Sequence, residues 1–170
     1  MCIAGLFHGV YGTESYRFRC ATLGHRERIR QVIGDKPEYL VYLFCVGRRP
    51  FFTEISSLRP LLYDRSRGEY ALISPEDLRD LLEIEAANWV DLMPRYRMHR
   101  EVLEKFSAGI ESAKNVLSPG AYQSITEVMR KKRHERPTIA RSLAHTLIKR
   151  SSLLREIVTS LRFLAARRTL

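Results

Sequence analysis

Cysteine is scarce in this chain. Cys2, Cys20 and Cys45 form no CxxC or other close pair, and an odd count at this spacing suits neither a disulfide framework nor a structural zinc site. Three small apolar residues in a reducing cytoplasm is the simplest expectation. Long apolar runs are missing too: none approaches the roughly 18–20 residues that span a bilayer. The opening MCIAGLF is apolar but short, lacks a basic stretch and is broken by His8 and Gly9, so it is not read as a signal peptide. There is no internal repeat and no low-complexity tract, which excludes solenoids and biased linkers. Beyond residue 120 the only aromatics are Tyr122 and Phe163, so no base-stacking platform is evident at that end.

What is present suits a globular protein. Of 170 residues, 45% are hydrophobic and 28% charged, enough for one domain with a core plus an appendage. The net charge of +10 is unevenly placed. Residues 130–170 hold twelve Lys and Arg against Glu135 and Glu156, while residues 1–129 carry 17 basic and 17 acidic side chains and are neutral. Basicity therefore belongs to the C-terminal segment.

The pattern along the chain is mainly helical. Residues 2–8 read as the end of a buried helix, followed by a glycine-containing polar loop, HGVYGTESY. Residues 24–34 read as a helix stopped by Gly34. The run YLVYLFCV within residues 36–46 fits a buried strand or a buried helix, and periodicity alone does not decide. Residues 47–60, with Gly47, Pro50 and Pro60, read as loop with a short turn. Residues 61–73 form two apolar-alternating arms around Ser66-Arg67-Gly68, a small hairpin. Ser74-Pro75-Glu76-Asp77 is a helix start, because serine caps, proline fits the first turn and the acids favour the positive end of the helix dipole. That helix runs to about Met93. A further helix covers 97–116, ended by Ser118-Pro119-Gly120, and another covers 120–133. Leu143, Leu147, Leu154, Ile157, Val158, Leu161 and Leu164 then make an amphipathic stripe across 138–168.

The chemistry-bearing candidate is AGLFHGVYGTE. A helix delivers His8 at its end, directly before two glycines. Imidazole titrates near neutral pH and binds divalent metals, so His8 is a candidate base or ligand. Glu14 is a candidate acid, base or metal ligand, and Tyr11 and Thr13 are candidate hydrogen-bonding groups for a substrate. A histidine that merely caps its helix end is the alternative on these residues alone.

The stretch CIAGLFHGVYGTE…RIRQVIGDKPEYLVYLFCV resembles the second-motif region of HD-domain phosphohydrolases, in particular the bacterial hydrolases of guanosine tetraphosphate with their A-x-L-L-H-D-x-x-E-D-T loop. It is more similar still to a bacterial HD-like family with A-G-L-F-H-S-x-Y-G-T-E in this place. EIEAANWVDLMPRY resembles the later helix of that domain, so the likeness spans roughly residues 2–100. It implies that 36–46 is helical, that the fold is all-α, and that any enzyme here is a hydrolase. It also implies a divalent metal held by an early histidine, a His-Asp pair and a late aspartate, activating water toward phosphorus. In this chain His8 matches the histidine of the pair. Gly9 stands at its aspartate, Gly12 and Thr13 stand where the tetraphosphate hydrolases carry Glu and Asp, and Asn88 stands at the late aspartate. The early histidine would fall ahead of residue 1. His8 and Asn88 are the remaining metal-ligand candidates, and the expectation is either a metal-free or rearranged site using His8, Tyr11, Thr13, Glu14 and Asn88 or a non-catalytic domain that retains the fold. Glu85 and Asp91, each three residues from Asn88, are either substitute carboxylates or part of a solvated face. His25, His99, His134 and His145 lack metal-like partner spacing.

The expectation is thus an all-α, HD-like helical domain over 1–118 with a small β-hairpin insertion, and a basic amphipathic helical extension over 119–170. The expected function is binding of, or action on, a small phosphorylated or nucleotide-like ligand at the His8 loop, with Tyr11, Thr13 and Asn88 lining it. The alternative is a non-enzymatic interaction protein whose residues 130–170 contact nucleic acid, an anionic membrane surface or a partner. Apolar surface left by missing N-terminal helices would favour homo-oligomers.

Overall fold

A single residue, Gly34, separates two helices that a continuous pattern would have merged. Its φ of +93° is a conformation that side chains rarely adopt. It ends α2 (Arg26–Ile33), and one residue later α3 (Asp35–Val46) begins. The computed structural model describes residues 2–13, 18–54, 60–96 and 98–134. Among these it is mostly helical, with seven α-helices and one two-stranded antiparallel hairpin.

α3 is the central element. The run that could have been a strand is a helix, with Leu40, Val41, Leu43, Phe44 and Val46 buried. α1 (Cys2–Phe7), α2 and α5 (Pro75–Leu92) all pack on it, and α1 also touches α5. α4 (Phe51–Glu54) is only four residues long, yet it buries Phe51 and Phe52 between α5 and α6 (Arg100–Ser112). Ile125 and Met129 of α7 (Pro119–His134) lie in the same core as Phe44, Leu81 and Phe106. The compact unit to which these elements belong ends at Arg133.

β1 (Leu61–Asp64) and β2 (Glu69–Leu72) pair with Leu61 opposite Leu72 and Asp64 opposite Glu69. The Asp64 carboxylate holds the turn, accepting from Ser66 N at 2.8 Å, Ser66 Oγ at 2.6 Å and Arg67 N at 3.2 Å. Arg65 ties the hairpin to α3, donating to the carbonyls of Cys45 at 2.7 Å and Gly47 at 3.2 Å, where the helix dipole favours a cation.

Three local readings change. α1 is not buried: Ala4 is its one buried residue, and Leu6 is 83% exposed. Its apolar side chains face both the core and solvent. The helix expected over 97–116 starts only at Arg100 and ends at Ser112. Ser118-Pro119, read as a terminator, opens α7 instead, with Ser118 Oγ accepting from Ala121 N at 3.3 Å and proline at the first helical position. The start of α5 matches its sequence signature: Ser74 Oγ accepts from Asp77 N at 3.0 Å. No helix among the described residues is long and apolar enough to cross a membrane.

Candidate functional site

α1 ends at Phe7, and the chain turns with Val10 N donating to Phe7 O at 2.8 Å and Gly12 N to Gly9 O at 2.9 Å. His8 sits at the head of this turn, partly buried. Its Nδ1 lies 2.6 Å from the carbonyl of Gly5, and its ring meets Phe44 of α3 edge-on at 5.2 Å. A carbonyl accepts only, so Nδ1 is the protonated nitrogen of the neutral ring and Nε2 carries the lone pair.

The turn is clamped from beneath. Tyr11 points inward, 5% exposed, and its hydroxyl donates to Glu38 Oε1 at 2.9 Å. Glu38, on α3, has no exposed surface and also takes both arms of Arg26, Nε at 2.7 Å and Nη2 at 2.9 Å. Arg30 approaches within 3.7 Å, and the Arg26 guanidinium stacks 3.8 Å above the Tyr42 ring. Burial alone would push the Glu38 carboxyl up, but the bonds from Arg26 and Tyr11 outweigh it and hold the group below its usual range. Burial and the adjacent Glu38 push the Tyr11 hydroxyl well above its ordinary value, so it remains a donor. Cys45 donates to the Tyr11 carbonyl at 3.7 Å, and burial pushes its thiol up, which keeps it a poor nucleophile.

The Glu38 network makes stability pH-dependent. The folded group has the lower pKa, so its contribution is full above the unfolded carboxyl range and is lost as pH falls through the folded value. Urea titrations should find Glu38→Gln less stable than wild type by about 1–3 kcal/mol at pH 7. The gap should narrow below about pH 4, the unfolded carboxyl range; an equal gap at pH 7 and pH 3 would refute an ionised Glu38 as the clamp.

The expected site residues are only partly brought together. His8, Tyr11 and Thr13 share the turn, but Tyr11 faces the core rather than a ligand. Gly12 has φ +77°, which the turn requires of it. Gly9 does not need to be glycine: its φ is ordinary and an added Cβ would meet nothing within 4 Å. Glu14 lies outside the described residues. Asn88 is half-buried on α5, a helix that α1 touches, but among the described residues no hydrogen bond joins it to His8.

The HD resemblance implies a metal, and the described residues do not fit one. No three His, Cys, Asp or Glu side chains among them converge. The substitute carboxylates near Asn88 are taken up otherwise. Glu85 is fully buried, with Oε2 accepting from Arg49 Nε at 2.9 Å and Oε1 from Trp89 Nε1 at 2.6 Å. Asp91 is exposed and pairs with Arg95 at 3.1 Å. Glu38 and Glu85 as buried anions are not read from sequence; the one available signal is their place within apolar helix segments. Of the basic segment 130–170, only residues 130–134 are described, and there Arg130 is paired with Glu127 at 2.9 Å.

No curated protein and no solved structure matches the chain. Residues 1–49 match the model of a domain of unknown function, DUF6817, a stretch that holds His8, Tyr11, Thr13, Arg26 and Glu38 but reaches neither Glu85 nor Asn88.

Proposed function

We propose that this chain is a divergent, HD-like helical protein that binds a small phosphorylated or nucleotide-like ligand at the His8 turn without a resident metal. The observation that carries this reading is a histidine whose Nδ1 is engaged by the Gly5 carbonyl, on a turn clamped by the buried Glu38 carboxylate through Tyr11 from within and the half-buried Arg26 from its outer side. Burying a carboxylate is a poor way to gain stability, because desolvation offsets most of the Coulomb attraction. Its effect here is to hold one turn in one shape, the preorganisation that a binding site requires.

His8 supplies the contact. With Nδ1 engaged by the Gly5 carbonyl, Nε2 is the nitrogen left to meet a ligand. It accepts a hydrogen bond when neutral and donates a charge-assisted one to a phosphoryl oxygen when protonated. Gly9 in place of an aspartate, and Glu85 committed to Arg49 and Trp89, leave too few anionic oxygens to offset the dehydration of Mg²⁺ or Mn²⁺. Recognition rather than metal-assisted hydrolysis is the role these residues suit.

Isothermal titration with GDP, GTP and inorganic pyrophosphate, each in excess EDTA, tests the reading. At least one probe should bind, EDTA should not weaken it, and His8→Ala should lower affinity about tenfold or more. Failure of all three probes, or an unchanged affinity for His8→Ala, would sink the proposal.

A further inference from the structure

The hairpin has two unlike edges. Beyond β1, Gly47 bridges to Asp64, Arg48 N donates to Tyr63 O at 3.0 Å, and Arg65 N donates to Val46 O at 2.9 Å. Beyond β2, no described residue pairs. The ladder fixes which groups that open edge offers. Ile73 N donates to Pro60 O at 2.8 Å, so residues 60 and 73 form a hydrogen-bonded pair. The antiparallel ladder alternates, making 62 with 71 and 64 with 69 hydrogen-bonded pairs as well. The N–H and C=O groups of Tyr70 and Leu72 therefore point away from β1, into the open edge.

The two outward residues of this edge carry apolar side chains, and Glu69 at its start is the one charge in the strand. Tyr70 is 64% exposed and Leu72 is 78% exposed, on the face that also carries Leu61 and Tyr63. The rings of Tyr63 and Tyr70 meet edge-on at 5.1 Å. Edge strands are ordinarily blunted by lysine, proline or a bulge, and the EYAL strand has none of these.

We propose that β2 pairs antiparallel with β2 of a second copy of this chain, about a two-fold axis at Ala71, to form a continuous four-stranded sheet. In that register Tyr70 stands opposite Leu72 of the other copy, and Leu72 opposite its Tyr70. The outward N–H and C=O groups of both residues are then satisfied in both copies. The four side chains close one apolar strip on a single face. A slip of one residue would set inward-pointing backbone groups against outward ones and bring Ala71 onto the strip. Charge favours a second copy over an unrelated strand. The same register sets the turn holding Arg67, which is 65% exposed and lies 3.8 Å from its own Asp64, beside the first turn of α5 in the other copy, where Glu76 is exposed, and symmetry makes that contact twice.

Sedimentation velocity on the full chain across a concentration series tests this. The mass should rise from 19.8 kDa toward twice that value. Leu72→Pro removes an N–H at the open edge while leaving the β1 ladder intact, and Tyr70→Lys puts a charge into the strip. Each should weaken association by about tenfold or more, the equivalent of one or two lost hydrogen bonds, with an unchanged far-ultraviolet spectrum. If Leu72→Pro loses its fold, Tyr70→Lys decides the matter. A wild-type chain that stays monomeric throughout, or a Tyr70→Lys variant that dimerises as well as wild type, would overturn the proposal.

Discussion

Arg49→Met is expected to destabilise the protein by about 3–5 kcal/mol, the cost of stranding one member of a buried ion pair. Arg49 is 8% exposed by side chain, and the carboxylate it serves, on Glu85, has no exposure at all. Glu85 accepts from two donors, Arg49 Nε at 2.9 Å and Trp89 Nε1 at 2.6 Å. Removal of the guanidinium leaves a buried anion with an indole N–H as its remaining strong partner. Methionine preserves much of the apolar contact, since the guanidinium lies 4.0 Å above the Phe44 ring. Loss of volume is therefore a minor part of the effect. The second variant makes the test specific. Arg49→Met combined with Glu85→Gln removes the charge but keeps an acceptor for Trp89, so the pair should recover a large part of the loss. Urea denaturation of the two single variants and the double, with m-values checked for two-state behaviour, gives the coupling. A double variant as unstable as the sum of its singles would show that the charge pair is not what holds α4 and α5 beside α3. Because Phe44 contacts both Arg49 and the His8 ring, the single variant should also broaden or shift the His8 ring resonances.

The contrast between Ser74 and Glu85 shows what could be read from the chain in advance. Ser74-Pro75-Glu76-Asp77 is a local signal: the cap, the first-turn proline and the acids act within one helical turn, so sequence alone places the start of α5. The hairpin is equally local, with its turn held by Asp64, two and three residues from its partners. Residues 36–46 are different. Their apolar content marks them as core, but helix or strand depends on what surrounds them, and only the family likeness favoured helix. Buried charge is less legible still. Glu38 and Arg26 are 12 residues apart, and Glu85 and Arg49 are 36 apart, so each pairing exists only once the helices have packed. The same limit applies to Tyr11. Its place beside His8 suggested a ligand-facing hydroxyl, and its actual partner lies 27 residues away on α3. A proline or glycine punctuates without saying on which side the element lies, so Ser118-Pro119 fits an ending by pattern and is a beginning in the fold. The His8 turn is legible because a helix-end histidine followed by glycines is a local pattern. Asn88 was not brought to hydrogen-bond contact with it, because nothing local encodes the separation of two helix faces.

Gly109→Val should abolish cooperative folding or cost about 4 kcal/mol or more, at the severe end of single substitutions. Gly109 lies in the last turn of α6, where helix propensity by itself would still favour Ala over Gly, by up to about 1 kcal/mol. Packing reverses that sign. A Cβ at this position would fall on the backbone carbonyl of Phe52 and lie 3.2 Å from the Phe52 Cβ. Phe52 is 2% exposed, its ring meets Phe106 of α6 edge-on at 5.5 Å, and Phe51 beside it is fully buried. Backbone flanked by two buried phenylalanines has no flexible side chain to give way, so the helices must separate and open the core between them. Gly109→Ala should therefore already be destabilising, because the packing cost exceeds the propensity gain that alanine brings. Gly120 provides the internal comparison: it too is helical, but an added Cβ there meets nothing within 4 Å. Gly120→Ala should be neutral or slightly stabilising, and thermal unfolding of the two alanine variants side by side should give shifts of opposite sign. Equal shifts would mean that α4 and α6 do not approach as closely as this packing requires.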